Sequence, residues 1–102
     1  MRRLFVSQPM RGKTDEEILA VREHAVAAAK QHIGEDIEVL DSFFKGVLHE
    51  GNKGLYLLGK SLELMSIADV VYFAQGWDNY RGCKIEHEAA VAYGLEILHE
   101  VD

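Results

Sequence analysis

Glu86 is the residue of this sequence whose type and position best suit chemistry. The short β-branched and aromatic run VVYF, at residues 70–73, is typical of a buried parallel strand. A turn follows, and Gly82 then leads into a helix that we expect to carry Glu86 in its first turn. A carboxylate lifted by a turn beside a strand end can serve as a nucleophile, an acid or a base.

Loops after three predicted strands are expected to meet at the edge where Glu86 lies, because open parallel sheets bind ligands outside the carboxyl ends of their strands. The first loop, residues 7–13, offers backbone amides with Arg11 and Lys13, a combination that holds a phosphate or a carboxylate. The other two loops contribute an acid and two aromatic residues: Asp41, Trp77 and Tyr80. An aromatic face beside a carboxylate suits a nucleobase or a sugar.

Sequence periodicity predicts the elements that must position these loops. Thr14 and Glu17 have the spacing of a capping box that opens a helix, and Gly34 is a natural stop for it. Strands are predicted at residues 4–6, 37–40, 70–73 and 95–98, and helices at 15–33 and 55–67. A third helix carries Glu86 in its first turn and runs to Gly94. Residues 43–54 are expected to form a mobile loop or short helix over a site. This alternation predicts an α/β fold in three layers, flavodoxin-like or Rossmann-like, with a parallel sheet of four to five strands.

Composition favours one domain spanning residues 1–102, since 102 residues that are 48% hydrophobic suffice for one core and are too few for two. The net charge of −6 comes without a basic stripe, which argues against nucleic-acid polymers as partners. No apolar run approaches the roughly 18 to 20 residues of a membrane span, and no secretory leader precedes the first strand. We therefore expect a cytoplasmic protein without a membrane partner. Cys83 is the single cysteine and no H-E-x-x-H pair occurs, so no metal or cofactor is predicted.

Three motifs resemble the nucleoside 2-deoxyribosyltransferase superfamily, which includes deoxynucleoside 5′-monophosphate N-glycosidases. They are SQPMRG at residues 7–12, ADVV at residues 68–71, and GCKIE at residues 82–86 followed by Ala90 and Gly94. The resemblance covers nearly the whole chain in the order of its elements, and it is nearest to an uncharacterised bacterial and phage branch. It implies a homodimer or higher homo-oligomer. We expect the C-terminal extension of the transferases to be missing.

The resemblance implies that Glu86 attacks the anomeric carbon of a deoxyribose as the base departs, in the manner of a retaining glycosidase. It implies a nucleoside or nucleotide as substrate, with Arg11 and Gly12 at the 5′ end. Together with the loop positions it yields the remaining candidate substrate-binding residues: Ser7, Pro9, Met10, Trp77, Tyr80, Arg81 and Gly82.

Two departures from the family's pattern affect the proton donor and the phosphate loop. Ser61 stands where the monophosphate-cleaving members carry an aspartate, and a serine does not act as an acid near neutral pH. The candidates for that part are three other acids: Asp41, Asp69 and Asp78. Tyr80 replaces the serine of the phosphate loop, for which Arg81 is a possible substitute.

Structural explanations stand beside these assignments. An acid in a first helical turn stabilises the helix dipole by about 0.3 to 1 kcal/mol, which alone would account for Glu86. Asp69 before a strand suits an Asx turn, and Trp77 with Tyr80 suits a subunit interface. The alternative function is a non-catalytic nucleotide-binding module that keeps the pocket but has lost the general acid.

Overall fold

Four parallel strands form an open sheet in the computed structural model of the chain, which describes residues 1–34 and 36–100. The strands are β1 (Arg2–Ser7), β2 (Ile37–Val39), β3 (Val70–Phe73) and β4 (Glu96–His99). Their order across the sheet is β2-β1-β3-β4, and each neighbouring pair is parallel. The predicted α/β fold with a flavodoxin-like parallel sheet is thereby confirmed. Val101 and Asp102, the end of the predicted domain, lie outside the described residues.

Three α-helices connect these strands within the described ranges: α1 (Asp15–Ile33), α2 (Lys53–Met65) and α3 (Arg81–Ala92). The predicted capping box is confirmed, because Thr14 accepts from the backbone of Glu17 while the Glu17 side chain accepts from the backbone of Thr14. Gly34 ends α1 at φ 72°, a left-handed conformation that glycine adopts without strain. None of the described helices has the length and apolar character required to cross a membrane.

The helices cover both faces of the sheet and make the predicted three layers. Ala25 and Ala29 of α1 pack on the face that carries Leu4 and Val6. Met65 of α2 and Ala90 of α3 pack on the opposite face, together with residues of β1 and β3. Side chains alternate along a strand, so Ser7, the last residue of β1, points to the layer of α2 and α3.

The direction in which the chain adds strands to the sheet reverses between β1 and β3. It leaves β1 for β2 on one side and crosses to β3 on the other, so the connections after β1 and β3 diverge at their carboxyl ends. Ser7 and Phe73 are partners in register at this edge. Divergent connections leave a crevice between two neighbouring strand ends, and ligands bind there in open α/β sheets.

Several predicted element bounds differ from those of the structure, and two of the differences matter for the site. Helix α3 begins at Arg81, so Glu86 lies in its second turn and not in the first. The dipole effect falls off after the first turn, so it no longer explains an acid at this position. Helix α2 begins at Lys53, because the Asn52 side chain accepts the backbone N–H of Leu55 at 2.9 Å and caps the helix earlier than predicted. Residues 40–52 contain no helix.

Candidate functional site

A cleft of about 880 Å³ opens at the carboxyl ends of β1 and β3. Its walls are the loop after β1, the irregular segment after β2, and the first turns of α2 and α3. Pockets that hold drug-sized ligands typically measure about 300 to 1,000 Å³. The cleft therefore has the volume of a small-molecule site and lies where open α/β sheets bind ligands.

Most of the predicted site residues line this cleft. They are Ser7, Pro9, Met10, Arg11, Tyr80, Arg81, Gly82 and Glu86. The loop after β1 is held firmly, because Gln8 is buried and its Nε2 donates to the Ile18 carbonyl of α1 at 2.9 Å. Gly12 lies in the exposed turn beside the cleft, with φ 80°.

Glu86 is at the floor of the cleft and is 8% exposed. The Ser7 hydroxyl donates to Glu86 Oε1 at 2.6 Å, across the boundary between β1 and α3. Burial, the largest effect, raises the pKa of Glu86 above its ordinary value, while the side chains of Ser7 and Ser61 act to lower that pKa. The arrangement gives a desolvated carboxylate in a fixed orientation, which is a suitable nucleophile.

Ser61 lines the cleft from α2, and its side chain acts to lower the pKa of Glu86. The sequence predicted no site role for Ser61, which stood out only as a departure from a family pattern. Ser61 lies three positions after Leu58 and four before Met65, which places it on the inward face of α2. This spacing is the sequence signal that could have identified Ser61.

Cys83 also lines the cleft, one helical turn before Glu86. Its thiol is buried, and burial raises its pKa to about 11 despite an interaction with Ser7. A thiol with this pKa stays protonated at neutral pH, so Cys83 is a poor nucleophile compared with Glu86.

Four cations line the cleft from three elements: Arg11, Lys13, Lys53 and Arg81. None of them takes part in the ion pairs found among the described residues. The Arg81 guanidinium lies against α2 so closely that a Cβ on Gly54 would be 3.4 Å from its Nη2 atom. Lys53 was missed because the sequence placed it in a loop. The cationic walls favour an anionic ligand although the chain is acidic overall.

Phe43 and Phe44 add to the aromatic surface that Tyr80 gives the cleft. They follow Ser42, whose hydroxyl donates to the Val6 carbonyl at 3.1 Å and anchors the segment to β1. Beyond them, Lys45 pairs with Asp15 at 2.7 Å. The predicted covering segment therefore lies against the cleft, and its aromatic pair is the part that the sequence analysis did not single out.

Asp69 is not brought to the cleft. It precedes β3, so it lies at the amino edge of the sheet, opposite Glu86, where its Oδ2 accepts the backbone N–H of Arg3 at 2.8 Å. This hydrogen bond has a structural use, as it joins the starts of β1 and β3. Asp78, in the short 3-10 turn Trp77–Asn79, is exposed and does not line the cleft either.

Asp41 also stands outside the cleft lining. Its exposed carboxylate pairs with Arg22 of α1 at 3.0 Å and accepts the backbone N–H of Phe43 at 3.1 Å. The hydrogen bond from Phe43 to Asp41 closes an Asx turn, which orients Phe43 and Phe44. Asp41 thus supports the wall of the cleft, and the structure does not bring it to the position expected for a proton donor.

Trp77 does not line the cleft, contrary to its predicted place. Its ring stacks on His87 with centroids 4.2 Å apart and packs against Phe73 at 5.3 Å. His87 in turn meets His99 with Nε2 atoms 3.0 Å apart. Proximity to His99 and burial lower the pKa of His87, with burial the larger cause. These rings form a packing cluster beside the site.

No group of three or more potential metal ligands is assembled among residues 1–34 and 36–100.

Comparison with known proteins gave one family match, to a family described as "Domain of unknown function (DUF4406)", over residues 2–99. That range includes every described strand and helix and the whole cleft. Neither the curated proteins nor the solved structures contain a match.

Proposed function

This chain belongs to the DUF4406 family, and we propose that it cleaves or transfers the N-glycosidic bond of a deoxynucleoside or deoxynucleoside 5′-monophosphate, with Glu86 as the nucleophile. The observation that carries the proposal is a buried carboxylate, fixed by Ser7 at 2.6 Å, on the floor of a cleft with cationic and aromatic walls. The resemblance to the nucleoside 2-deoxyribosyltransferase superfamily, noted above, supports the same reaction.

The walls of the cleft match the parts of such a substrate. Arg11 and Lys13 follow β1 and provide charge-assisted donors for a 5′-phosphate. Phe43 and Phe44 provide flat apolar surface for the base. Glu86 lines the same cleft beside Ser7 at the end of β1, and the sugar that joins base and phosphate would lie against it.

The proposed reaction has two steps. A carboxylate oxygen of Glu86 bonds to the anomeric carbon as the carbon–nitrogen bond breaks, and the base leaves with the bonding electrons. Water then attacks the same carbon and frees Glu86, so that water supplies a hydroxyl to the sugar and a proton to the base. If a second base attacks instead of water, the sugar is transferred.

Incubation with a panel of deoxynucleosides and their 5′-monophosphates, followed by chromatography of the free bases, tests this function. We expect base release by the natural protein and a loss of about three orders of magnitude or more in Glu86→Gln, because the amide is not a nucleophile. Glu88→Gln, an exposed acid on the same helix, is the matched control and should keep the activity. Equal rates for the natural protein and Glu86→Gln would contradict the proposal.

A nucleotide-binding module without catalysis is the second candidate. It is favoured by one specific observation: Asp41, Asp69 and Asp78, the expected proton donors, do not line the cleft. Isothermal titration showing saturable binding of a monophosphate, without any base release over hours, would support it. Rapid release of base would eliminate it.

A further inference from the structure

The segment at residues 43–51, between β2 and α2, is held in place by side chains. It contains no helix or strand, and in the part of the chain that the structure describes no hydrogen bond joins its backbone to another backbone group. Its ends are fixed, because Ser42 is bonded to β1 and Asn52 caps α2. Gly46 and Gly51 have φ values of 68° and 86°, a region that favours glycine. A segment with fixed ends and few backbone hydrogen bonds opens locally at low cost.

An ion pair ties the middle of this segment to the start of α1. Lys45 Nζ is 2.7 Å from Asp15 Oδ2, and the same ammonium is 5.6 Å from the centre of the Phe43 ring. Asp15 and Phe43 line the cleft, whereas Lys45 does not. Both charged side chains are more than half exposed, with values of 63% and 58%, and exposed ion pairs add little to stability. The contact can therefore hold the segment and still open.

Ring contacts tie the same segment to α2. Lys60 Nζ is 5.6 Å from the centre of the Phe44 ring and 5.7 Å from that of Tyr56. Tyr56 in turn stacks on His49, with ring centroids 4.1 Å apart. Phe44 lines the cleft, but Lys60 does not. A lysine outside the cleft thus holds a ring of its wall by a cation–π contact.

We propose that residues 43–51 form a strap that opens to admit a ligand and closes on it, with Lys45 and Lys60 as the positioning residues that hold Phe43 and Phe44 against the cleft. The contact of these rings with a base rests on the proposed function, whereas the opening of the strap does not. Closure of such a segment excludes water and orients a bound ligand.

Chymotrypsin cleavage after Phe44, located by mass spectrometry, measures opening of the strap without any substrate. The protease needs accessible chain, so it cuts there when Phe44 leaves the cleft. Asp15→Asn removes the ion pair with Lys45, and Lys60→Gln removes the cation from the Phe44 ring. Neither variant changes the residues that flank the cleavage site. We expect each variant to be cut about 2-fold to 10-fold faster than the natural protein, as the loss of one weak contact allows.

Matched controls separate opening of the strap from other effects. Glu16→Gln removes the neighbouring acid of the same helical turn, and Lys60→Arg keeps a cation beside the rings. Both should be cut after Phe44 at the natural rate. Phe5, which is buried in β1, is exposed only by global unfolding, so cleavage there should be equally slow in every variant.

Cleavage after Phe44 at the natural rate in both Asp15→Asn and Lys60→Gln would overturn the proposal, as would equal acceleration in Glu16→Gln. Faster cleavage without any base release keeps the strap and removes the proposed reaction, so the two failures are distinguishable. Where base is released, Lys60→Gln should raise KM about 2-fold to 10-fold with kcat changed less, and Lys60→Arg should restore the natural KM.

Discussion

At the scale of single residues, the site depends on placing Glu86 where its charge is costly. Burial of a carboxylate disfavours the ionised form, and the hydrogen bond from Ser7 offsets only part of that cost. The folded protein therefore keeps a destabilising charge that the proposed chemistry uses. Such residues commonly reduce stability in exchange for activity.

The stability of Glu86→Gln should reveal this cost. Burial raises the pKa of Glu86 in the folded protein above its ordinary value of 4.5. Below pH 4.5, Glu86 is protonated in both the folded and the unfolded protein, so the cost of burying its charge is absent. As the pH rises from 4.5 towards the raised pKa, the unfolded chain gives up the Glu86 proton before the folded protein does, so the natural protein loses stability that Glu86→Gln keeps. We expect the variant to be more stable in urea at pH 7.5 by on the order of 1 kcal/mol, as single stabilising changes usually are. The gain should shrink at pH 4, and a variant less stable than the natural protein at pH 7.5 would contradict this reasoning.

Arg11→Gln should separate phosphate recognition from chemistry. Removing a charge-assisted donor costs about 1.5 to 3 kcal/mol, so KM for a monophosphate should rise about 10-fold to 100-fold. The KM for the matching nucleoside, which lacks the phosphate, should stay constant. Lys84→Gln, an exposed change that does not line the cleft, serves as the control in the same steady-state assays. An equal rise for nucleoside and monophosphate would show that Arg11 does not bind the phosphate.

At the scale of elements, the walls of the cleft depend on how helices begin. Asn52 caps α2 through Leu55 and so fixes the turn that carries Lys53 and the close contact between Gly54 and Arg81. Helix α3 has no side-chain cap at Tyr80, and its start is set by the extended backbone there. Two of the four cleft cations, Lys53 and Arg81, therefore lie in first turns, and helix ends fray.

Asn52→Ala should destabilise the protein by about 1 kcal/mol, because it leaves the first N–H groups of α2 without the side-chain acceptor. Asn52→Asp keeps an acceptor at this position and should retain most of the stability. Chemical denaturation of both variants, compared with the natural protein, measures the difference. Equal losses for the alanine and aspartate variants would show that the cap does not stabilise α2.

Strand and helix periodicity predicted the fold well, and loops at the carboxyl ends of strands predicted most of the cleft. Asp69 failed as a site residue because it precedes β3, and strand polarity then puts it at the opposite edge. The prediction for Trp77 was wrong because its ring packs against His87 and His99, which are distant from it in sequence. Ser61 was overlooked because it lines the cleft from α2, far along the chain from Glu86, and no local pattern predicts such a placement.

At the scale of the whole molecule, two surface properties matter: the distribution of charge and the exposed apolar side chains. The chain carries a net charge of −6, yet its cleft is lined by more cations than acids. Opposite potentials of this kind direct an anionic ligand to the cleft and keep it from the rest of the surface. Several large apolar side chains are exposed on the outer surface: Leu48, Leu55, Val91 and Tyr93.

We propose that the protein is at least a dimer, because exposed apolar side chains on a small domain favour association between copies. Sedimentation velocity at micromolar concentrations should show a species of twice the chain mass or more. Replacement of Leu55 and Val91 by aspartate should shift the distribution to the monomer. A natural protein that sediments as a monomer at high micromolar concentration would contradict the proposal.

Trapping the sugar on Glu86 would establish the proposed chemistry itself. The protein is mixed with a deoxynucleoside 5′-monophosphate that it cleaves, quenched in acid, and analysed by intact-mass and peptide mass spectrometry. We predict a mass increase equal to one deoxyribose phosphate residue, located on the peptide that contains Glu86 and missing from Glu86→Gln. Base release without such an adduct, at the same rate in the natural protein and in Glu86→Gln, would show that Glu86 is not the nucleophile.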